Sequence, residues 1–194
     1  MICELEIDAL HHRANQINRI LDPLRGTKGR RFACKSLSSG GRIALVTYSG
    51  PESVAEPADL WRFRTHVPLL HGSYQESWCP VNEKRKRYYL EKAYLHLYLT
   101  TLTAGDAAEK EILALHCDPN EADEPPGWKG LVHSKYKRGP HLHVSTAEQP
   151  MPHSHFALNA CHLGSVLISV ESLTNAMATA VQMLEDQVLR LYEV

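Results

Sequence analysis

Arg87-Tyr-Tyr-Leu-Glu-Lys-Ala-Tyr-Leu-His-Leu-Tyr-Leu-Thr-Thr-Leu-Thr103 is the most regular stretch of this chain. Within it Leu95, Leu97 and Leu99 alternate with Tyr94, His96 and Tyr98. A period of two residues is the mark of a strand with one buried face, so the leucines should enter a core and the rings should line the opposite side. The loop 103–109 then leads into Lys110-Glu-Ile-Leu-Ala-Leu-His-Cys117, which predicts a hairpin.

Working outward, Phe32–Leu37 and Arg42–Tyr48 form a second candidate hairpin. Ser38-Ser-Gly-Gly41 joins them, and the glycine pair can supply the positive φ of a tight turn. Residues 4–24 carry Ile7, Leu10, Ile17, Leu21 and Leu24 at helical spacing, with Asp8 early, Arg13 and Arg19 later, and Pro23 and Gly26 as stop signals. Residues 49–83 hold Pro51, Pro57, Pro68 and Pro80 and no sustained period, so they read as an irregular loop with a short helix around 54–63. A Pro-rich acidic surface loop is expected over 118–130, followed by a strand at Leu131–Tyr136. The C-terminal helix is expected over 170–192, capped by Ser169 or Ser172, with Leu173, Ala176, Ala180, Leu184, Val188 and Leu191 on its apolar stripe. The sum is a single α+β domain, 1–194: an antiparallel β-sheet meander flanked by N- and C-terminal amphipathic helices that cover one face.

The chain has 194 residues, a formal charge of −1 and 43% hydrophobic residues, enough to bury a core. No apolar run approaches the roughly 18 residues of a membrane helix, and the acidic N-terminus does not resemble a signal peptide. Cys3, Cys34, Cys79, Cys117 and Cys161 are odd in number and widely spaced, which points to reduced thiols in a cytoplasm and no disulfide framework.

Seven of the 12 histidines fall between His116 and His162. Four of them form two His-x-His pairs, His141/His143 and His153/His155, around the Pro-bounded segment Gln149-Pro-Met-Pro152. In a strand each pair shares a face, with Leu142 and Val144 turned to the core behind the first. A turn at the prolines would fold the second pair beside the first, and His96 could join them near Tyr94 and Tyr98. Imidazole is the commonest metal ligand and titrates nearest physiological pH, so His141, His143, His153 and His155 are the candidate catalytic and metal-binding residues, with zinc or manganese as the cofactor. His116, Cys117, His133, Cys161 and His162 are further candidate ligands. No HExxH and no HxHxD carboxylate accompanies them.

Lys135-Tyr-Lys-Arg138 runs into the first pair. Lys135, Lys137 and Arg138, with His96 and Tyr94, make a candidate site for a phosphate-bearing ligand, because cations neutralise phosphates and rings stack on bases. The function expected is a His-site, metal-dependent phosphoester hydrolase or a nucleic-acid-interacting protein, with nucleic acid or a nucleotide as partner. The competing class is a non-catalytic subunit that binds another protein through its terminal helices; no membrane is expected.

Three resemblances bear on this. Leu70-His-Gly-Ser73 and Leu142-His-Val-Ser145 resemble the His-x-Ser/Thr motifs of two-histidine phosphoesterases, which implies one His as general base and the other as general acid. The order of strands, then Cys161, then a helix is similar to the ubiquitin-conjugating-enzyme fold, which implies a thioester on Cys161, although that family's His-Pro-Asn segment is absent. The pattern Tyr136-x-x-Gly-Pro-His-x-His followed by Pro152-His-x-His155 is similar to small His-rich prokaryotic proteins of toxin–antitoxin-like gene pairs, which implies a prokaryotic, antiviral-defence setting.

Overall fold

A computed structural model describes residues 4–26, 30–36, 41–47, 61–82, 86–103, 106–117, 140–144, 154–157, 169–187 and 189–192. Among these residues the fold is α+β. The strands are β1 (Glu4–Glu6), β2 (Phe32–Ser36), β3 (Ile43–Thr47), β4 (Arg62–Arg64), β5 (Leu70–Asn82), β6 (Arg87–Thr103), β7 (Asp106–Cys117), β8 (His141–Val144) and β9 (Ser154–Ala157). The helices are α1 (Ile7–Leu21) and α2 (Val170–Gln187), and a 3-10 turn covers Leu189–Tyr192. All nine strands belong to one antiparallel sheet whose main path is β2-β3-β5-β6-β7-β8-β9. β1 extends beside the start of β6, and β4 pairs with β5.

β6 is the strand its alternation predicts, and Leu90, Leu95 and Leu97 are buried. The apolar face of the sheet adds Tyr74 and Trp78 from β5, Leu115 from β7 and Leu142 from β8. Leu10, Ile17 and Leu21 of α1 and Leu173, Met177 and Leu184 of α2 close the core over that face. Ser169 caps α2: its hydroxyl accepts from the Ser172 N–H at 3.0 Å, and the Ser172 hydroxyl accepts from the Ser169 N–H at 2.9 Å.

Several boundaries differ from the sequence expectation. Glu4–Glu6 pairs with Arg87–Tyr89 as a strand, and an Arg87–Glu4 ion pair at 2.6 Å holds it there, so the helix starts only at Ile7. The C-terminal helix ends at Gln187 and not at 192. Residues 49–83 are not one irregular loop: β4 and the 13-residue β5 lie inside them. Prolines and Gly72 hide β5, yet each has a place. Pro80 sits near the end of the strand beside a register irregularity, where a missing N–H costs little. Gly72 lies under the Phe63 ring; a Cβ there would stand 2.2 Å from Phe63 Cζ, so only glycine lets β4 dock. The expected strand at 131–136 and the loop 118–130 lie outside the described residues.

Arg13 is not a surface residue serving the helix dipole. It lies mid-helix, 2% exposed, and its Nε donates to Glu76 Oε1 at 3.0 Å, with Glu76 itself fully buried on β5. Its other nitrogens reach Gln16, Thr174 of α2 and the Met177 sulfur. The Tyr74 hydroxyl, 3.5 Å from the same sulfur, completes the cluster. Burial disfavours the Arg13 charge, but Glu76 and Tyr74 outweigh it and hold the guanidinium protonated. Burial, reinforced by Glu76, pushes the Tyr74 hydroxyl well above its usual range against the pull of Arg13. One ion pair thus ties both helices to the central strand.

Removing one partner leaves an uncompensated charge in a dry core. Arg13→Met is expected to lower the unfolding free energy by about 3–5 kcal/mol. Arg13→Met together with Glu76→Leu should recover most of that loss, because neither charge then remains buried. Urea unfolding of the two variants checks this; a double variant as unstable as the single one would contradict it.

Candidate functional site

The face of the sheet turned away from the helices carries the histidines. Along β6, Tyr94, His96, Tyr98 and Thr100 point to it. Along β5, His71 pairs with Tyr98 and Ser73 with His96. On β8, Leu142 is buried at 6% exposure on the core side while His141 and His143 take the other side, as the alternation demands. His141 is nevertheless only 2% exposed, so this face is covered at that point as well. The Val144 side chain lies outside the described residues.

β7 reaches the same face by a change of phase. Its turn-proximal register pairs Thr103 with Asp106 and Tyr98 with Glu111, whereas further along Leu97 pairs with Leu113 and Tyr94 with His116. Ile112 is the extra residue, and an extra residue in one strand of a pair is a β-bulge. Continued without it, the turn-proximal register would set His116 opposite Ala93, on the core side. With it, Glu111 before the bulge and His116 after it share one face. His96 then meets both: its Nδ1 is 2.6 Å from Glu111 Oε2 and its Nε2 is 3.2 Å from His116 Nε2.

His116 in turn lies against β8. Cross-strand pairing sets it beside His141, and the ring centroids are 6.0 Å from His141 and 4.4 Å from His143. One ligand nitrogen from each of His116, His141 and His143 can be chosen so that all three lie within 4.8 Å of one another. A tetrahedral zinc about 2.0–2.1 Å from each nitrogen would set them about 3.4 Å apart. The triad therefore needs a closing movement of up to about 1.4 Å, within reach of side-chain rotation. Three imidazoles with a fourth position free of protein is the ligand pattern of catalytic zinc.

The proton arrangement favours that use. With the His96 proton on Nδ1, that N–H donates a hydrogen bond to the Glu111 carboxylate and Nε2 can accept one from His116 Nε2–H; in that tautomer the His116 lone pair is on Nδ1. A carboxylate–His–His chain of this kind orients a ligand and raises its basicity. Tyr94 closes one side of the group, 4.3 Å from the His116 ring, and Lys92 Nζ stands 5.6 Å from the Tyr94 centroid.

Of the residues singled out from sequence, His141 and His143 sit in the triad, and His96 and Tyr94 contact its third member. Among the described residues that third member is His116 from β7. β9, which carries His155, does fold beside β8, with His155 paired to His143, but the His155 side chain lies outside the described residues. His153, Lys135, Lys137, Arg138, His133, Cys161 and His162 lie outside them entirely. Cys117 is buried in the core cluster, away from the triad face. The histidines of the two His-x-Ser motifs, His71 and His143, fall on β5 and β8 with β6 and β7 between them, about 14 Å apart at the usual strand spacing, too far to form one two-histidine centre.

No protein family, curated protein or solved structure matches this chain. Among the described residues no helix is long and apolar enough to cross a membrane.

The short Glu111–His96 contact predicts a hydrogen-bonded imidazole proton, sharp and far downfield in proton–nitrogen correlation spectra. Glu111→Ala should remove that resonance and release the His96 ring while leaving thermal stability within about 1 kcal/mol, since both groups are partly solvated. A wild-type spectrum without such a proton would mean that the contact does not form in solution.

Proposed function

We propose that the protein is a metal-dependent hydrolase of phosphoesters, with His116, His141 and His143 as the ligands of one zinc or manganese ion. The convergence of these three imidazoles from adjacent strands is the observation that carries the reading. A bound ion of this type lowers the pKa of a coordinated water and polarises a phosphoryl oxygen. The chain's own part is to hold three neutral imidazoles, to fix the His116 tautomer through His96 and Glu111, and to leave the fourth position for water and substrate. Tyr94 offers ring surface against His116, Tyr98 continues it beyond His96, and Lys92 over Tyr94 offers a positive charge, which suits a substrate with a base or another planar group attached to its phosphate.

Metal analysis of the purified chain is expected to give one ion per protein. Each of His116→Ala, His141→Ala and His143→Ala should abolish that stoichiometry, while Glu111→Ala should weaken affinity by about 10–100-fold through His96. Affinity should also fall as pH is lowered, because protons compete for the ligand lone pairs. Hydrolysis of bis-p-nitrophenyl phosphate should require the metal and stop with a chelator. Full activity in metal-free protein, or the absence of metal binding at micromolar concentration, would overturn the proposal.

A further inference from the structure

The site face has a second constellation, remote from the triad. A cleft of about 860 Å³ opens where β4 lies against β5, and Arg30, Arg62, Arg64 and His71 line it, with Glu109 as its acidic member. That volume lies in the range of small-molecule sites, and the hydroxyl-bearing Thr100 and the apolar Phe63 and Leu70 also contribute to its wall. Its frame is built, not incidental. Gly26 N–H donates to the Arg64 carbonyl at 2.9 Å, and a Cβ on Gly26 would stand 2.8 Å from the Thr65 carbonyl oxygen, so the chain can run this close only as glycine. Arg25, which is buried, donates to the Arg30 carbonyl at 3.1 Å and so fixes the segment that carries Arg30.

The charges in this cleft do not balance. Glu109 Oε1 lies 3.0 Å from Arg62 Nη1 and 3.2 Å from His71 Nε2, so one oxygen serves both. Burial works against the Glu109 charge, but the Arg62 hydrogen bond and the His71 and Arg62 charges hold its carboxyl below the usual range. Among the described residues neither Arg30 nor Arg64 has an acidic partner. Three guanidiniums against one carboxylate leave at least two positive charges uncompensated, before any charge on His71 is counted, which is enough to neutralise a phosphate dianion. Arginine is the side chain that recognises phosphate oxygens in a bidentate fork. Glu109 makes with Arg62 and His71 the contacts that a phosphate oxygen would make, and at 38% side-chain exposure it is free to swing aside.

The cleft is joined to the triad by rings. His71 stacks on Tyr98 at 5.5 Å and 18°, Tyr98 on His96 at 5.9 Å and 7°, and His96 contacts His116. From β5 to β8 the sheet spans about 14 Å. We propose that the Arg30/Arg62/Arg64 cleft is an anchoring subsite for a non-reacting phosphate group of the substrate, which would then be a nucleotide-type ligand carrying a second phosphate that is presented at the triad across Tyr98 and His96. The subsite's identity as a phosphate site stands by itself; its role in catalysis rests on the hydrolase reading above.

Titration calorimetry with inorganic pyrophosphate on chelator-treated full-length protein at low salt separates the two. Saturable one-site binding is expected in wild type and in His143→Ala alike. Arg30→Gln with Arg64→Gln should weaken it at least tenfold with an unchanged melting temperature, since both side chains are exposed. Glu109→Gln should tighten it several-fold, an effect that a purely structural role for Glu109 would not produce. Loss of binding in His143→Ala would place the pyrophosphate at the triad and overturn the subsite, as would wild-type affinity in the arginine double variant or no saturable binding at all. Pyrophosphate binding without any metal binding would leave the cleft standing and remove only the hydrolase reading.

Discussion

Ile112 occupies a place in β7 that has no partner on β6, and the set of side chains on the second face depends on it. Strand alternation is strict, so a carboxylate and an imidazole five residues apart must point to opposite faces unless one residue is inserted between them. The bulge makes that insertion while β7 remains paired on both sides of it. It leaves Leu113, Leu115 and Cys117 on the apolar side for the core and turns Glu111 and His116 together to the other. β8 inherits the phase, because His141 and His143 pair with His116 and Ala114. Bulges re-aim side chains next to functional sites for this reason: the backbone absorbs a local kink and the sheet keeps its hydrogen bonds.

This also explains what could be read from the sequence. The alternation in Tyr94–Leu99 and His141–Val144 is a property of single strands, and it identified the strands and the facing of Leu142, His141 and His143 correctly. The architecture of helix-flanked antiparallel sheet followed from the order of such segments. The third triad member was harder. His116 was a candidate ligand only by residue type, since its face depends on a register shift between two strands, and no local pattern encodes a shift. A cue exists in Glu109 and Glu111 on odd positions followed by Ala114 and His116 on even ones, with the apolar residues changing from even Ile112 to odd Leu113 and Leu115. β5 was missed for another reason. Its glycine is required by a contact with Phe63, which comes from a different strand, and its proline sits at an irregularity; read alone, both residues mark a loop.

The core makes the opposite use of charge. Arg13 and Glu76 are held in the driest part of the protein, where a pair of hydrophobic residues of the same volume would be no less stable. Their geometry fixes alignment: Arg13 reaches Glu76 on β5 and Thr174 and Met177 on α2 at once, so only one sliding position of the two helices over the sheet satisfies it. A sheet face covered by leucines alone would accept several. Among the described residues the Arg13–Glu76 pair on the core side ties helices to sheet, while the imidazoles gather on the far side.

That division has a consequence for the triad. The core face supplies the packing that keeps β6, β7 and β8 in register, so the backbone sets the positions from which the imidazoles on the far face project. The His96–Glu111 pair adds what the backbone cannot, the choice of tautomer. Backbone placement sets where the His116 ring lies but leaves open which nitrogen carries the proton. A carboxylate beside His96 Nδ1 favours the proton on that nitrogen, and through His96 Nε2 it favours the proton of His116 on Nε2. Rigid strands for position and a titratable relay for proton state are separate devices. The extra residue at 112 is the feature that brings them to one face.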